Sequence, residues 1–147
     1  MKGLLDRVAA EQSSADETTN GPALPQQIKV LKSAAAGQLS ADIPADFLAL
    51  SNGTDFNGLV LYGADQSTDA PGAGGFWQGL VNANLVWRED GQHSEYIILG
   101  ETGMDLLTVD LNGENATSRD RISGDEVERF PLVRALIEHY LATHLVA

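Results

Sequence analysis

Apolar residues repeat with a helical period at both ends of this chain and with a shorter period in its middle, and that switch limits the folds open to it. Leu4, Leu5 and Val8 lie at helical spacing with Lys2, Asp6, Arg7 and Glu11 opposite, which predicts a short helix over residues 1–12. Residues 13–23 are polar, contain a Gly21-Pro22 breaker and read as a loop. Ile28, Leu31 and Ala35 share one stripe, predicting a second helix over residues 26–36 that ends near Gly37. The run from Ile43 to Gly53 predicts a third. Pro44 suits its first position, where the missing N–H costs nothing, and Asp46 favours the helix dipole. Phe47, Leu48 and Leu50 bury one side, and Asn52-Gly53 supplies a left-handed stop.

Beyond Gly53 the apolar runs become short and strand-like. Leu59 to Tyr62, closed by Gly63, predicts a strand, and residues 64–75, with Pro71, Gly72, Gly74 and Gly75, a surface loop. Leu80 to Asp90 reads as one short helix. Tyr96 to Gly100 and Met104 to Leu111 predict two more strands. Asn112-Gly113 matches a two-residue hairpin turn, which needs positive φ at both positions. The polar run from Ala116 to Ile122 predicts an edge-like strand. Pro131 then opens a terminal helix with Leu132, Val133, Leu136, Ile137, Tyr140, Leu141 and Leu145 along one wide face. The expected class is α+β: a single domain with a central, mostly antiparallel sheet of about four to six strands wrapped by N- and C-terminal helices. Residues 1–39 would supply N-terminal helices and a polar linker, and residues 40–147 the core. At 147 residues, folding buries about two thirds of the chain's surface, enough for a core without staples. The absence of cysteine excludes disulfides, thiolate zinc sites, iron–sulfur clusters and a cysteine nucleophile.

Charge narrows the function classes. Twenty-one Asp and Glu stand against nine Lys and Arg, a net of −12. Nucleic-acid binding needs a basic footprint, and anionic membranes repel this sign, so neither is an expected partner. A basic partner is the natural complement. Between Ser33 and Ser118 there are twelve acidic residues and one basic one, Arg88; the rest of the chain holds nine and eight. That segregation predicts a directed acidic face rather than a uniformly solubilising surface. Residues Met1 to Arg7 contain no apolar run of signal-peptide length, and no window approaches a membrane span, so a cytoplasmic location is expected.

Catalytic and cofactor patterns are weak. No G-x-S-x-G occurs, and His139 and His144 are five apart, off the spacing of a helical zinc pair. His93 reads as a loop residue. Gly72-Ala73-Gly74-Gly75 has no Lys or Arg within ten residues, so it makes a poor phosphate cradle. The segment from Asp110 resembles a calcium loop only at its start, because Arg121 stands where the closing glutamate belongs. No metal or cofactor is expected. Glu101 with Asp105, and Glu89 with Asp90, are the acid pairs that a small hydrolase would use. Trp87, inside an apolar stretch, reads as core; Trp77, at a loop edge, as a candidate binding anchor.

The order of segments is itself informative. Ile43-Pro44-Ala45-Asp46-Phe47-Leu48 through Asn52-Gly53-Thr54-Asp55-Phe56-Asn57-Gly58-Leu59-Val60-Leu61-Tyr62-Gly63 resembles the signature of the SUKH superfamily, most closely its YrhA-like branch. The likeness continues through Asn84-Leu85-Val86-Trp87-Arg88 and Tyr96-Ile97-Ile98-Leu99-Gly100-Glu101 to Ser123-Gly124-Asp125, covering residues 40–142. The resemblance implies an α+β fold with a mostly antiparallel sheet and no shared catalytic residues. It also implies the role of many such proteins, immunity to a cognate toxin that acts in the cytosol, frequently a nuclease; others look like scaffolds. The expected function is therefore non-enzymatic: an immunity protein that occludes a basic toxin, with a regulatory scaffold as the rival. The candidate contact set is Asp65, Asp69, Trp77, Glu89, Asp90, Glu95, Glu101 and Asp105.

Overall fold

The computed structural model describes residues 2–14, 23–43, 53–64 and 79–145. In chain order the elements are α1 (Lys2–Ser14), α2 (Pro25–Gln38), β1 (Thr54–Phe56), β2 (Leu59–Leu61), α3 (Leu80–Trp87), β3 (Tyr96–Glu101), β4 (Asp105–Asp110), β5 (Thr117–Asp120), β6 (Glu126–Arg129) and α4 (Val133–His144). The class is the expected α+β. Among the described residues six strands form one sheet in the order β1 to β6, with every neighbouring pair antiparallel. The helix expected after Ile43 and the glycine-rich loop fall mainly on residues 44–52 and 65–78, outside the described residues.

Strand alternation decides what lies on each face. Glu101 opposes Val60 and Leu106, and its carboxylate accepts a hydrogen bond from the Tyr62 hydroxyl on the α3 side of the sheet. Asp105 points to the other face, where it accepts a bond from the Tyr140 hydroxyl of α4 at 2.9 Å. Helix α3 therefore covers one face, with α2 packed against it, and α4 covers the other, with α1 against it. Ile97, Ile98, Leu99, Leu106 and Leu107 are fully buried between these layers, and Leu31, Leu80, Leu136 and Leu141 reach them from the helices.

Two features lock the centre of the sheet. Strand β2 is short: it pairs with β3 at Gly100 and Glu101, and just past it the Tyr62 N–H donates to the Leu99 carbonyl at 3.0 Å. The edge of β3 that β2 leaves uncovered is closed by a side chain, Asn84 of α3. Its amide oxygen accepts the Ile98 N–H at 2.7 Å, and its amide nitrogen donates to the carbonyls of Ile98 and Leu80, each at 2.8 Å. This is the pairing a further strand would make, supplied by a fully buried amide. At Gly100 a Cβ would overlap the Val60 carbonyl oxygen and lie 2.9 Å from Leu61 Cδ2. Glycine is what allows β2 and β3 to approach there.

One helix ends close to where it was expected but by another device, and two expectations need correction. Helix α2 ends at Gln38, one residue past Gly37, and the left-handed residue that turns the chain out of the helix is Ser40, at φ 53°, after which the Ala41 N–H joins that of Leu39 in bonding the Ala35 carbonyl, at 3.2 Å. The two-residue turn expected at Asn112-Gly113 is a longer connection: Gly113 has φ 81°, but the second positive φ belongs to Asn115, at 55°. The tight hairpin lies instead at Asn57-Gly58, with φ of 49° and 87° and Phe56 paired to Leu59. Strand β5 is interior, not an edge. Thr117 and Ser118 are buried, and the Thr117 hydroxyl meets that of Thr108 at 2.7 Å, so polar residues enter the sheet with partners. The edge is β6, exposed throughout and carrying Glu126, Glu128 and Arg129, charges that blunt further strand pairing.

Candidate functional site

The sheet gathers acids that are far apart in sequence. Tyr96, the first residue of β3, pairs with Asp110, the last of β4, so Glu95 stands beside the end of β4. The chain then turns back: the Asp110 N–H donates to the Glu114 carbonyl at 2.8 Å, and Asn115 Nδ2 donates to Asp110 Oδ2 at 2.6 Å. The segment after α2 reaches the same place, where the Asp42 N–H donates to the Leu111 carbonyl at 2.8 Å. Asp42, Glu95 and Glu114 are exposed and Asp110 is half-buried. Among the described residues none of the four forms an ion pair. The nearest cation by chain position is Arg119, five residues from Glu114, with its guanidinium 4.3 Å over the Tyr96 ring centre and its Nη1 donating to the Gly124 carbonyl. From the other side comes half-buried Arg88, whose Nη2 donates to the Tyr96 carbonyl at 3.3 Å. Burial holds its pKa below the ordinary arginine value.

A cleft of about 560 Å³ opens on the α3 side of the sheet. Its floor is a closed network. Trp87 Nε1 donates to the Tyr62 hydroxyl at 2.9 Å, Tyr62 donates to Glu101, and Arg121 Nη1 bonds Glu101 Oε1 at 3.1 Å and the Thr102 carbonyl at 2.8 Å. The Arg121 guanidinium also lies 5.2 Å from the Trp87 ring centre, a cation–π distance. His93, with φ 60°, stands edge-on to Trp87 at 5.3 Å and bonds the Tyr96 hydroxyl. Val86 and Ile122 are on the lining and are 63% and 89% exposed.

No protein-family model matches this chain, and no curated protein matches it. The site therefore rests on its own geometry. Of the candidate contacts, Asp65, Asp69 and Trp77 lie outside the described residues. Glu89, Asp90 and Glu95 are exposed on the connection from α3 to β3. Glu101 is only 18% exposed and is neutralised by Arg121, and Asp105 is tied to Tyr140 on the opposite face. The pair Glu101 and Asp105 thus cannot act on one substrate together. Trp87, expected in the core, is half-buried and lines the cleft. Asp42, Asp110 and Glu114 were missed as contacts, because only strand register and the Asp42–Leu111 bond bring them beside Glu95.

The chain's three tyrosines share one property. Burial, then the Glu101 carboxylate, raises the Tyr62 pKa far above the ordinary value; burial raises that of Tyr96; burial, with Asp105, pushes Tyr140 up to about 12. A phenol that holds its proton more tightly when folded adds stability that is fully present below the unfolded value, near 10.0, and is lost as pH rises through the folded value. The expected unfolding free energy is therefore insensitive to these groups at neutral pH and falls above about pH 10. Denaturant melts between pH 8 and 11.5 check this: Tyr62→Phe should flatten the alkaline decline, and an unchanged decline contradicts the assignment.

Proposed function

We propose that this chain is a SUKH-like immunity protein, acting in the cytoplasm, that binds a cognate toxin with a basic surface and neutralises it by occlusion. The observation that carries this reading is the assembly of Asp42, Glu95, Asp110 and Glu114 at one end of the sheet without an ion-pair partner among the described residues. Acids gathered at one end of a sheet deepen its negative potential, and a fold that needed only solubility would disperse them. Opposed by a cationic surface, the same field lowers the energy of encounter and speeds capture. A toxin that handles nucleic acid or nucleotides must itself present cations around its active centre, so a carboxylate face competes for them. The order of SUKH-like segments supports the choice of a toxin over other basic partners.

The test is biochemical. The product of the gene adjacent to this one, purified, is expected to bind this protein with a Kd below about 1 μM and to lose activity at equimolar ratio. A neighbour that is not toxic, or a toxic one left fully active, would contradict the immunity role and favour a scaffold.

A further inference from the structure

We propose that the cleft beside α3 seats a protruding loop of the same basic partner, an uncharged apolar side chain entering between Val86 and Ile122 while a neighbouring lysine or arginine reaches Asp90. This rests on the reading of the chain as a binder of a basic protein and adds where the partner is anchored. Three observations select this occupant. The floor is electrostatically complete: Glu101 already holds Arg121 and the Tyr62 hydroxyl, so a guest cation there would have to displace Arg121. An uncharged group meets no such cost. The rim is apolar and open, Val86 at 63% and Ile122 at 89% exposure, which is surface that water covers unfavourably. The charge at the rim is Asp90, whose carboxylate accepts the Gln92 N–H at 3.1 Å and has no ion-pair partner among the described residues.

One stretch of chain joins the cleft to the acidic end of the sheet. Asp90 and Gln92 line it, and the same connection runs on through His93 to Glu95. A basic partner docked on Glu95 therefore has the cleft, whose lining begins two residues away at His93, within reach of a protruding loop. Trp87 and Arg121, half-buried on the lining, are residue types that dominate binding energy when an anchor packs against them.

Two capped tripeptides distinguish the anchor from the charge: acetyl-Arg-Leu-Arg-amide and acetyl-Arg-Gly-Arg-amide, titrated into the full-length, nitrogen-15-labelled protein. Both should shift the backbone amides of Glu95 and Glu114. Only the leucine peptide should shift the Trp87 indole resonance at matched concentration, with about tenfold tighter apparent binding there. Val86→Ser with Ile122→Ser, both exposed and so tolerated by the fold, should abolish that preference while keeping the shifts at Glu95. Shifts at Glu95 and Glu114 with a silent Trp87 indole, or equal indole shifts from the two peptides, would overturn the anchor and leave the acidic surface standing. Silence at every position would overturn both.

Discussion

Replacing Asn84 with leucine is expected to lower the unfolding free energy by about 2–6 kcal/mol. The substitution keeps the volume of the side chain but removes every polar contact it makes. The Ile98 N–H and carbonyl, which Asn84 bonds at 2.7 and 2.8 Å, then face an apolar side chain inside the protein. Each orphaned buried group costs about 1–3 kcal/mol, against a total stability of about 5–15 kcal/mol for a domain. Asn84→Asp sharpens the test. A carboxylate can still accept the Ile98 N–H but cannot donate to the carbonyls of Ile98 and Leu80. Burial would raise the pKa of that new carboxyl, so the variant should regain stability as pH falls and the acid protonates. Urea melts of the three proteins at pH 7.5 and 5 measure both effects. A leucine variant within 0.5 kcal/mol of wild type, taken as about the size of an ordinary surface substitution, would show that Asn84 does not complete the β3 edge.

Much of this architecture was legible in the sequence, and the exceptions have physical causes. Helical stripes and short apolar runs located α1, α2, α3, β2, β3, β4 and α4, because burial on one face or in a layer leaves a period that a single chain displays. Strands β1 and β6 left no such trace: β1 has three residues, and β6 (Glu-Val-Glu-Arg) is exposed along its whole length. The two Asn-Gly dipeptides show the limit of local rules. Both satisfy the turn preference, yet only Asn57-Gly58 closes a two-residue hairpin. At Asn112-Gly113 the Asp110–Glu114 backbone bond and the Asn115 amide hold a wider turn. Polar composition misled at β5 for a related reason, since a hydroxyl is admitted to a core when another hydroxyl faces it, and that partner, Thr108, lies nine residues away. The acidic middle of the chain was visible as a count. Which carboxylates would share a surface was not, because Asp42 joins the group through a backbone bond to Leu111.

The second large effect concerns association. The triple variant Asp42→Lys, Glu95→Lys, Glu114→Lys replaces three exposed acids by bases, a change of six charges at one end of the sheet. Asp110 is left in place because its carboxylate holds the turn through Asn115. For a basic toxin the association rate constant should fall about 10- to 100-fold, with a smaller change in dissociation, because exposed charges act mainly on encounter. The fold should survive, since none of the three side chains is buried. Stopped-flow mixing of variant and wild type with the same toxin separates the two rates. An unchanged association rate would remove this end of the sheet from the interface.

The acidic surface itself is tested most directly by the ionic-strength dependence of that wild-type association rate. Long-range attraction is screened over about 10 Å at 0.1 M salt and about 30 Å at 0.01 M. Capture should therefore slow steeply as salt rises across that range, while the triple lysine variant stays slow and nearly flat. A wild-type rate that does not change with salt, for a toxin it nevertheless neutralises, would mean that these carboxylates do not guide recognition.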